Sequence, residues 1–472
     1  MTSQAKALVF GACIAMFLLC GFGPDSTPRV AGDFIVTAAP AYHPLAALHG
    51  QERFPRGAQL LLVQQGKSEP LVSGFAATAD ANVSFDGTHI LFAGKRTAND
   101  PWQIWELALA DKYARQVTSG NEDTIRPLYL PGERFVYAQR TPSGFQLRAE
   151  SLGQSESTAK VHAFVDTSAL QLTYFKTNAI PADVLADGRI LFESGYPLGS
   201  GTSPELYLVY SDGSGVESYR CDHGAARWGG TQLPSGDVVF THGASLARFT
   251  SPLAHEERIA APHADYAGAI AATTDPATQE IVWLLSARSA SAKNYSIKVW
   301  KPGSTTLEPV LSESGADLVE PVIVAPRAVP RRHPSSLHPW DYANLLALDA
   351  RISRDGTLQG TPATVRVEAQ DADGHATVLG TSPLESDGSY FVKVPGDKPI
   401  RFAILDAKGI VLRQERGWFW ARRGEQRICA GCHAWPERAA ENRIPAVLVR
   451  TTDPTDLTAP PAAIQHSSAG GR

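Results

Sequence analysis

From residue 33 to residue 325 one pattern of hydrophobic and polar positions recurs along the chain. A turn with Asp-Gly or a similar pair leads into a run of β-branched and aromatic residues. A polar gap follows, then a second run and a third. The clearest copy is SFDGTHILFAGKRTANDPWQIWELALADKYARQVTSG, residues 84–120. Others are VLADGRILFESG with ELYLVYSDGSG (184–215), QLPSGDVVFTHGASLARFT (232–250) and PATQEIVWLLSARSASAKNYSIKVWKPG (276–303). A weaker copy is YLPGERFVYAQRTPSGFQLRAESL (129–152), and GAQLLLVQQGKSEPLVSG (57–74) reads as the outer strands of a preceding unit. Short strands and tight turns at a period of about 40 to 50 residues predict an all-β chain built of four-stranded propeller blades, roughly six in this length. A pair of β-sandwiches would space its turns similarly and is the alternative.

The repeat resembles the six-bladed TolB-like propellers, whose blades carry an S-x-D-G turn before the inner strand. Prolines 326, 330, 334 and 339 then break the pattern in VAPRAVPRRHPSSLHPW (324–340), which reads as a stiff linker. Its Arg331 and Arg332 read as a solvated charged pair. Beyond it, residues 363–414 alternate strands with DADG, SDG and DAKG turns, the pattern of a small β-sandwich. Asp371 and Asp373 with Gly374 suit a hairpin turn, because the full ligand loop of a calcium site is absent. The organisation expected is a signal peptide at 1–23, a propeller at 33–325, a linker at 326–340, a β-rich domain at 341–452 and a structureless tail at 453–472.

Composition adds compartment and excludes partners. With 472 residues, 43% of them hydrophobic, the chain can fill two or three cores. A net charge of −5 without a long basic run argues against nucleic acid as a partner. Forty glycines and 33 prolines suit short strands better than helices. At the start, MTSQAKALVFGACIAMFLLCGFGPDST sets Lys6 before an apolar run from Ala7 to Gly23, the form of a secretory signal. Export to the periplasm is expected. A membrane association would come only from lipidation at Cys20, where Leu19 fits a lipoprotein signal poorly. Once the signal is removed, Cys221, Cys429 and Cys432 are the remaining cysteines, and no methionine is left.

The chemistry concentrates in RICAGCHAWPERAAENRIP, residues 427–445. Thioether-bound haem needs two thiols two residues apart to meet its vinyl groups, with the next histidine under the iron. Cys429, Cys432 and His433 supply that set, which predicts one covalent haem c. Zinc is an alternative, but it needs a fourth ligand such as Cys221 or a distant histidine. A redox dithiol is another, though the sequence around it lacks the βαβ setting of such motifs.

GSYFVKVPGDKPIRFAILDAKG, then RGWFWARRGEQRICAGCHAWPERAAENRIP, resembles the C-terminal region of proteins related to the alpha subunit of hydrazine synthase. That family joins an exported propeller to a β-rich domain with one Cys-x-x-Cys-His haem site. The resemblance implies haem on Cys429 and Cys432 with His433 at the iron. It does not carry over hydrazine synthesis, since the tyrosine that the synthase places four residues after the motif histidine is Glu437 here.

Without methionine, the sixth iron position falls to histidine, a weaker ligand, water or none. His223 in RCDHG, beside Cys221, is the first candidate, with a buried inert thiol as the plain reading of Cys221. The linker histidines His333 and His338 come next, with solvent as their plain reading. Trp418 and Trp420 are expected on the macrocycle or in the sandwich core. Arg422 and Arg423 are expected either at haem propionates or as a solvated cationic edge. The first function expected is a monohaem electron carrier using the propeller to dock a redox partner protein. Alternatives are a haem enzyme acting on a small nitrogen or oxygen compound, and a TolB-like binding scaffold with structural haem or zinc.

Overall fold

A computed structural model describes residues 30–153, 169–195, 197–198, 201–220, 226–251, 254–352, 358–371, 373–430 and 443–458. The expected signal segment, Cys221, His223, Cys432 and His433 lie outside the described residues. The fold is almost all β. Its one α-helix among the described residues is Ala446–Arg450, and a single 3-10 turn spans Ala46–His49.

Six antiparallel sheets of four or five strands follow one another along the first part of the chain, with a two-stranded hairpin, Pro197–Leu198 with Gly201–Thr202, between the second and third strands of the fourth. Five have four strands: the first joins Phe34–Ala39, Gln59–Gln64 and Lys67–Pro70 to Asp317–Ile323, and the second runs Ala77–Val83, His89–Lys95, Gln103–Ala108, Ala114–Gln116. The third starts at Thr124–Leu130, the fourth at Ala179–Val184 and the fifth at Arg227–Gln232. In the sixth, Asp265–Tyr266 and Ala271–Thr274 both pair with Ile281–Arg288. Because Asp317–Ile323 pairs with Phe34–Ala39, the last strand of this region completes the first sheet, and residues 57–74 are indeed its outer strands.

The hydrophobic pattern explains the layering within each sheet. In the second, HILFAGK is buried along its whole middle because neighbouring sheets cover both faces. The outermost strand of the first sheet, KSEP, is exposed throughout and charged, which protects an open edge. The turns at Asp86-Gly87 and Asp187-Gly188 fall between the first and second strands of their sheets, and that at Asp212-Gly213 between the third and fourth. At the first of these, Ser84 Oγ donates to Asp86 at 2.6 Å and the Thr88 amide to the same carboxylate at 3.0 Å. These bonds, led by the one from Ser84, hold the Asp86 carboxyl down at about 2.

The proline-rich segment is docked on those turns rather than spanning free space. Arg327 N donates to Phe85 O at 2.9 Å, and Arg331 N to Ala186 O at 3.0 Å. Arg327 lies over the Phe85 ring, 4.4 Å from its centre. Glycine is required where the segment crosses: Gly188 has φ 90° and a Cβ there would stand 2.0 Å from Arg331 O. Arg331 and Arg332 themselves are exposed, as their plain reading has it.

Two further four-stranded sheets follow. One orders Gln426–Cys429, Tyr342–Ala347, Tyr390–Pro395 and Thr455–Asp456; the other orders Ala376–Pro383, Pro362–Gln370, Ile400–Asp406 and Val411–Gln414. Alternate residues of both, among them Leu345, Val392, Val365 and Phe402, share one apolar core. The stretch expected to be structureless from 453 onward begins instead with a strand, Thr455 and Asp456 pairing with Val392 and Lys393.

Candidate functional site

The strand Gln426–Cys429 carries the first cysteine of the motif. It runs parallel to Tyr342–Ala347, with Asn344 opposite Gln426 and Ala347 opposite Cys429. Leu348 N donates to Cys429 O at 2.9 Å, so the strand is held up to its last residue. Side chains alternate across it: Gln426 and Ile428 are exposed, Arg427 and Cys429 turn inward. The Cys429 thiol abuts the shared core of the two sheets and belongs to no disulfide among the described residues. Burial pushes its pKa up, with Arg427 opposing. A thiol kept neutral is a poor redox nucleophile, since the reactive species is the thiolate. A thioether carries no charge and suits the same surroundings.

The segment before this strand ties the two halves of the molecule together. Trp420 is fully buried against Phe175 of the six-sheet region, ring centres 4.8 Å apart, and its indole N–H donates to Gly213 O at 3.3 Å. Trp418 belongs to the same cluster, beneath the guanidinium of Arg401 at 4.5 Å. Both tryptophans thus fill the junction with the fourth sheet, neither the interior of the second sheet pair nor an open face. Arg422 is not a free cation either. Its Nε donates to Asp212 O at 3.1 Å, and its Nη1 donates to the Tyr174 hydroxyl and to Asp397 Oδ1, the latter at 2.5 Å. Arg423 is the exposed member of the pair, 3.3 Å from Asp397. Glu425 accepts from Gly215 N at 3.2 Å and from Arg422 N at 2.7 Å, and burial raises its pKa.

Arg427 is the cation that composition alone did not single out. Its Nη2 donates to Val216 O at 2.7 Å, while its buried Nη1 has no hydrogen-bond partner among the described residues. An unfilled guanidinium donor two residues before Cys429 is what a carboxylate-bearing cofactor would satisfy. Ile428, on the opposite face of the strand, leaves 68% of its surface exposed. Among the described residues, Cys429 and Arg427 are compatible with haem. Cys429 and Cys432 would hold it, His433 would meet the iron, and Arg427 would take a propionate.

Of the described sixth-ligand candidates, His338 touches the motif strand, its Nε2 3.1 Å from Gln426 Nε2. It stands on the outer face, opposite to the one the Cys429 thiol takes, and stacks on Trp340 at 4.3 Å. His333 stacks on Tyr210 at 4.0 Å. Elsewhere, Asp371, Asp373 and His375 present ligand atoms within 4.8 Å of one another, a group that could hold a metal ion. Asp371 Oδ1 already accepts from the amides of Asp373 and His375, the bonding of a hairpin turn, and Asp373 and His375 are exposed.

Fold and motif define a sheet-built protein with a Cys-x-x-Cys-His segment at the end of an ordered strand. Residues 343–434 match the family described as hydrazine synthase alpha subunit middle domain, a stretch that includes Cys429, Cys432 and His433. Among solved structures, hydrazine synthase from Kuenenia stuttgartiensis superposes with a TM-score of 0.74 at 16% identity, covering 91% of this chain and 72% of that one. TolB from Acinetobacter baumannii gives a TM-score of 0.45 at 13% identity over 62% of this chain and 66% of its own. No curated protein sequence matches the chain. It shares its fold with the hydrazine synthase protein, at low identity. Among the described residues no helix is long and apolar enough to cross a membrane.

Proposed function

We propose that this chain is an exported single-haem protein that transfers electrons, with haem c bound covalently through Cys429 and Cys432 and His433 as axial ligand. The six sheets form a six-bladed propeller, closed by the pairing of the last strand with the first, and residues 341–452 form a sandwich-like domain beside it. The observation that carries the reading is that Cys429 ends a strand fixed in register while Arg427, two residues earlier, keeps a buried donor unfilled. The match over residues 343–434, which spans the whole motif, supports it.

When bound, haem supplies a one-electron iron couple. The chain's own residues set the surroundings. Arg427 balances negative charge at the cofactor edge. Trp420, Arg422 and Glu425 fasten the strand's approach to the propeller, so a redox partner docking there meets a site of fixed geometry. A second reading is a haem enzyme acting on a small nitrogen or oxygen compound, favoured by the fold shared with hydrazine synthase. Ferric absorption and spin-resonance spectra distinguish the two. The electron-carrier reading expects a low-spin iron that ignores cyanide and carbon monoxide. A high-spin iron that binds them would replace it with the enzyme reading.

A further inference from the structure

One hairpin of the fourth sheet, joining Glu205–Val209 to Glu217–Ser218, lies against the segment that leads into the motif strand. It is closed by its own bonds: Tyr210 N donates to Ser214 O at 3.0 Å, and Asp212 Oδ1 accepts from Ser214 N at 2.9 Å and from Ser214 Oγ at 2.6 Å. Arg134 Nη2, from the third sheet, donates to Ser211 O at 3.3 Å. The side chains of Trp420, Arg422 and Arg427 read the hairpin's backbone, donating to the carbonyls of Gly213, Asp212 and Val216 at 3.3, 3.1 and 2.7 Å. Glu425 makes the reverse contact. Its Oε1 accepts from Gly215 N at 3.2 Å and its Oε2 from Arg422 N at 2.7 Å, so one buried carboxylate ties the hairpin to the backbone of the segment.

Glu425 and Arg427 thus grip consecutive residues of the hairpin, Gly215 by its amide and Val216 by its carbonyl. Val216 O takes one arm of the Arg427 guanidinium, whose carbon lies 5.2 Å from the centre of the Phe419 ring. The other arm, Nη1, is buried and has no hydrogen-bond partner among the described residues. A guanidinium is a planar fork, so fixing one arm sets the direction of the other. What holds Gly215 in place therefore bears on where Arg427 presents its unfilled donor.

Building on the haem reading, we propose that Glu425 is a positioning residue for Arg427: through Gly215 it fixes the Val216 carbonyl that orients the guanidinium toward a haem propionate. The six-sheet region thereby takes part in setting the reduction potential. The sign of the effect separates this role from a direct one. Loss of a cation beside haem favours ferric iron and moves the potential negative, whereas loss of an anion moves it positive. Disturbing Arg427 through Glu425 gives the first result. Removing the charge of Glu425 itself would give the second.

The test uses the full-length protein with haem attached, its mass checked before any potential is read. Protein film voltammetry compares Glu425→Ala, Glu425→Gln, Arg427→Met and the Glu425→Ala/Arg427→Met double variant. The expected result is a negative shift for Glu425→Ala and a smaller one for Glu425→Gln, which keeps one acceptor oxygen. Once Arg427 is replaced by methionine, Glu425→Ala should add no further shift. Hydrogen exchange over residues 210–217 should be faster in Glu425→Ala, with or without haem. Glu425→Gln keeps the test usable should Glu425→Ala fail to mature. A positive shift, or the same shift in the Arg427→Met background, would overturn the proposal and leave Glu425 acting through its own charge. No shift, or unchanged exchange, would also overturn it, the buried Val216 side chain then holding the carbonyl unaided. A bare polypeptide mass is a different failure: it removes the haem reading, and this role with it, before any voltammetry.

Discussion

Ala347 and Cys429 face each other across a parallel strand pair, and the amide after Ala347 closes the register on the Cys429 carbonyl. The first cysteine of the motif is therefore placed by a sheet, and the sheet is placed by its junction with the propeller-like region.

Trp420→Ala removes a large side chain at the junction, one fully buried against Phe175. A loss of about 3–5 kcal/mol is expected, as for large aromatic deletions in well-packed cores. Calorimetry should show more than a lower midpoint. The two halves should begin to melt separately, while an unchanged single transition would mean that Trp420 does not couple them.

Gly188→Ala puts a methyl group against the Arg331 carbonyl on a left-handed backbone, and both effects oppose docking of the linker. A cost of about 1–3 kcal/mol is expected. Limited proteolysis should cut the linker near Arg331 and Arg332 faster in the variant. Equal cutting rates would show that the docked segment is not held by this crossing.

Asp387 anchors the chain where it returns after residues 431–442. Its Oδ2 accepts from Arg443 and from Ala446 N at 2.7 Å, and its Oδ1 accepts from Ser389 Oγ at 2.6 Å. Burial alone would raise its pKa, but these bonds outweigh it and hold the carboxyl below the ordinary range. A depressed folded pKa gives stability that is present above the unfolded value, about 4, and is lost as pH falls through the folded value. Asp387→Asn should thus be less stable than the parent at pH 7, by roughly 1 kcal/mol, with the gap closing as the pH drops below about 4. A gap constant from pH 7 to pH 2 would contradict the anchor.

Arg427→Met keeps the bulk of the side chain and deletes the charge. With haem bound, losing a cation beside it favours the ferric form, so the reduction potential should move negative. Protein film voltammetry reads this directly. A potential unmoved by the substitution would remove Arg427 from the cofactor's surroundings.

Much of the layout was legible in the sequence because it rests on local rules. Period-two runs gave the strands. Asp-Gly pairs gave the hairpin turns, including Asp371–Gly374, where the ligand set favoured a turn over a calcium loop. What could not be read was long range. Trp418 and Trp420 look like cofactor cover beside a Cys-x-x-Cys-His motif, yet the partners of Trp420, Phe175 and Gly213, lie more than two hundred residues away. Arg422 carries the same lesson, since a cation in ARR gives no sign that Tyr174 and Asp212 enclose it. Prolines 326 to 339 declare stiffness, but only the glycines at 87 and 188 hint that something lies on the turns, and their φ angles alone already account for glycine there. Arg427 was missed for a similar reason: an unfilled donor is a property of packing.

The central claim is that haem is joined to this chain through Cys429 and Cys432. Intact mass spectrometry of protein matured in a host able to attach c-type haem tests it most directly. The account expects the chain mass, less any cleaved leader, plus one haem that survives denaturation, and its loss in a Cys429→Ala/Cys432→Ala variant. The bare polypeptide mass from that same host would contradict it.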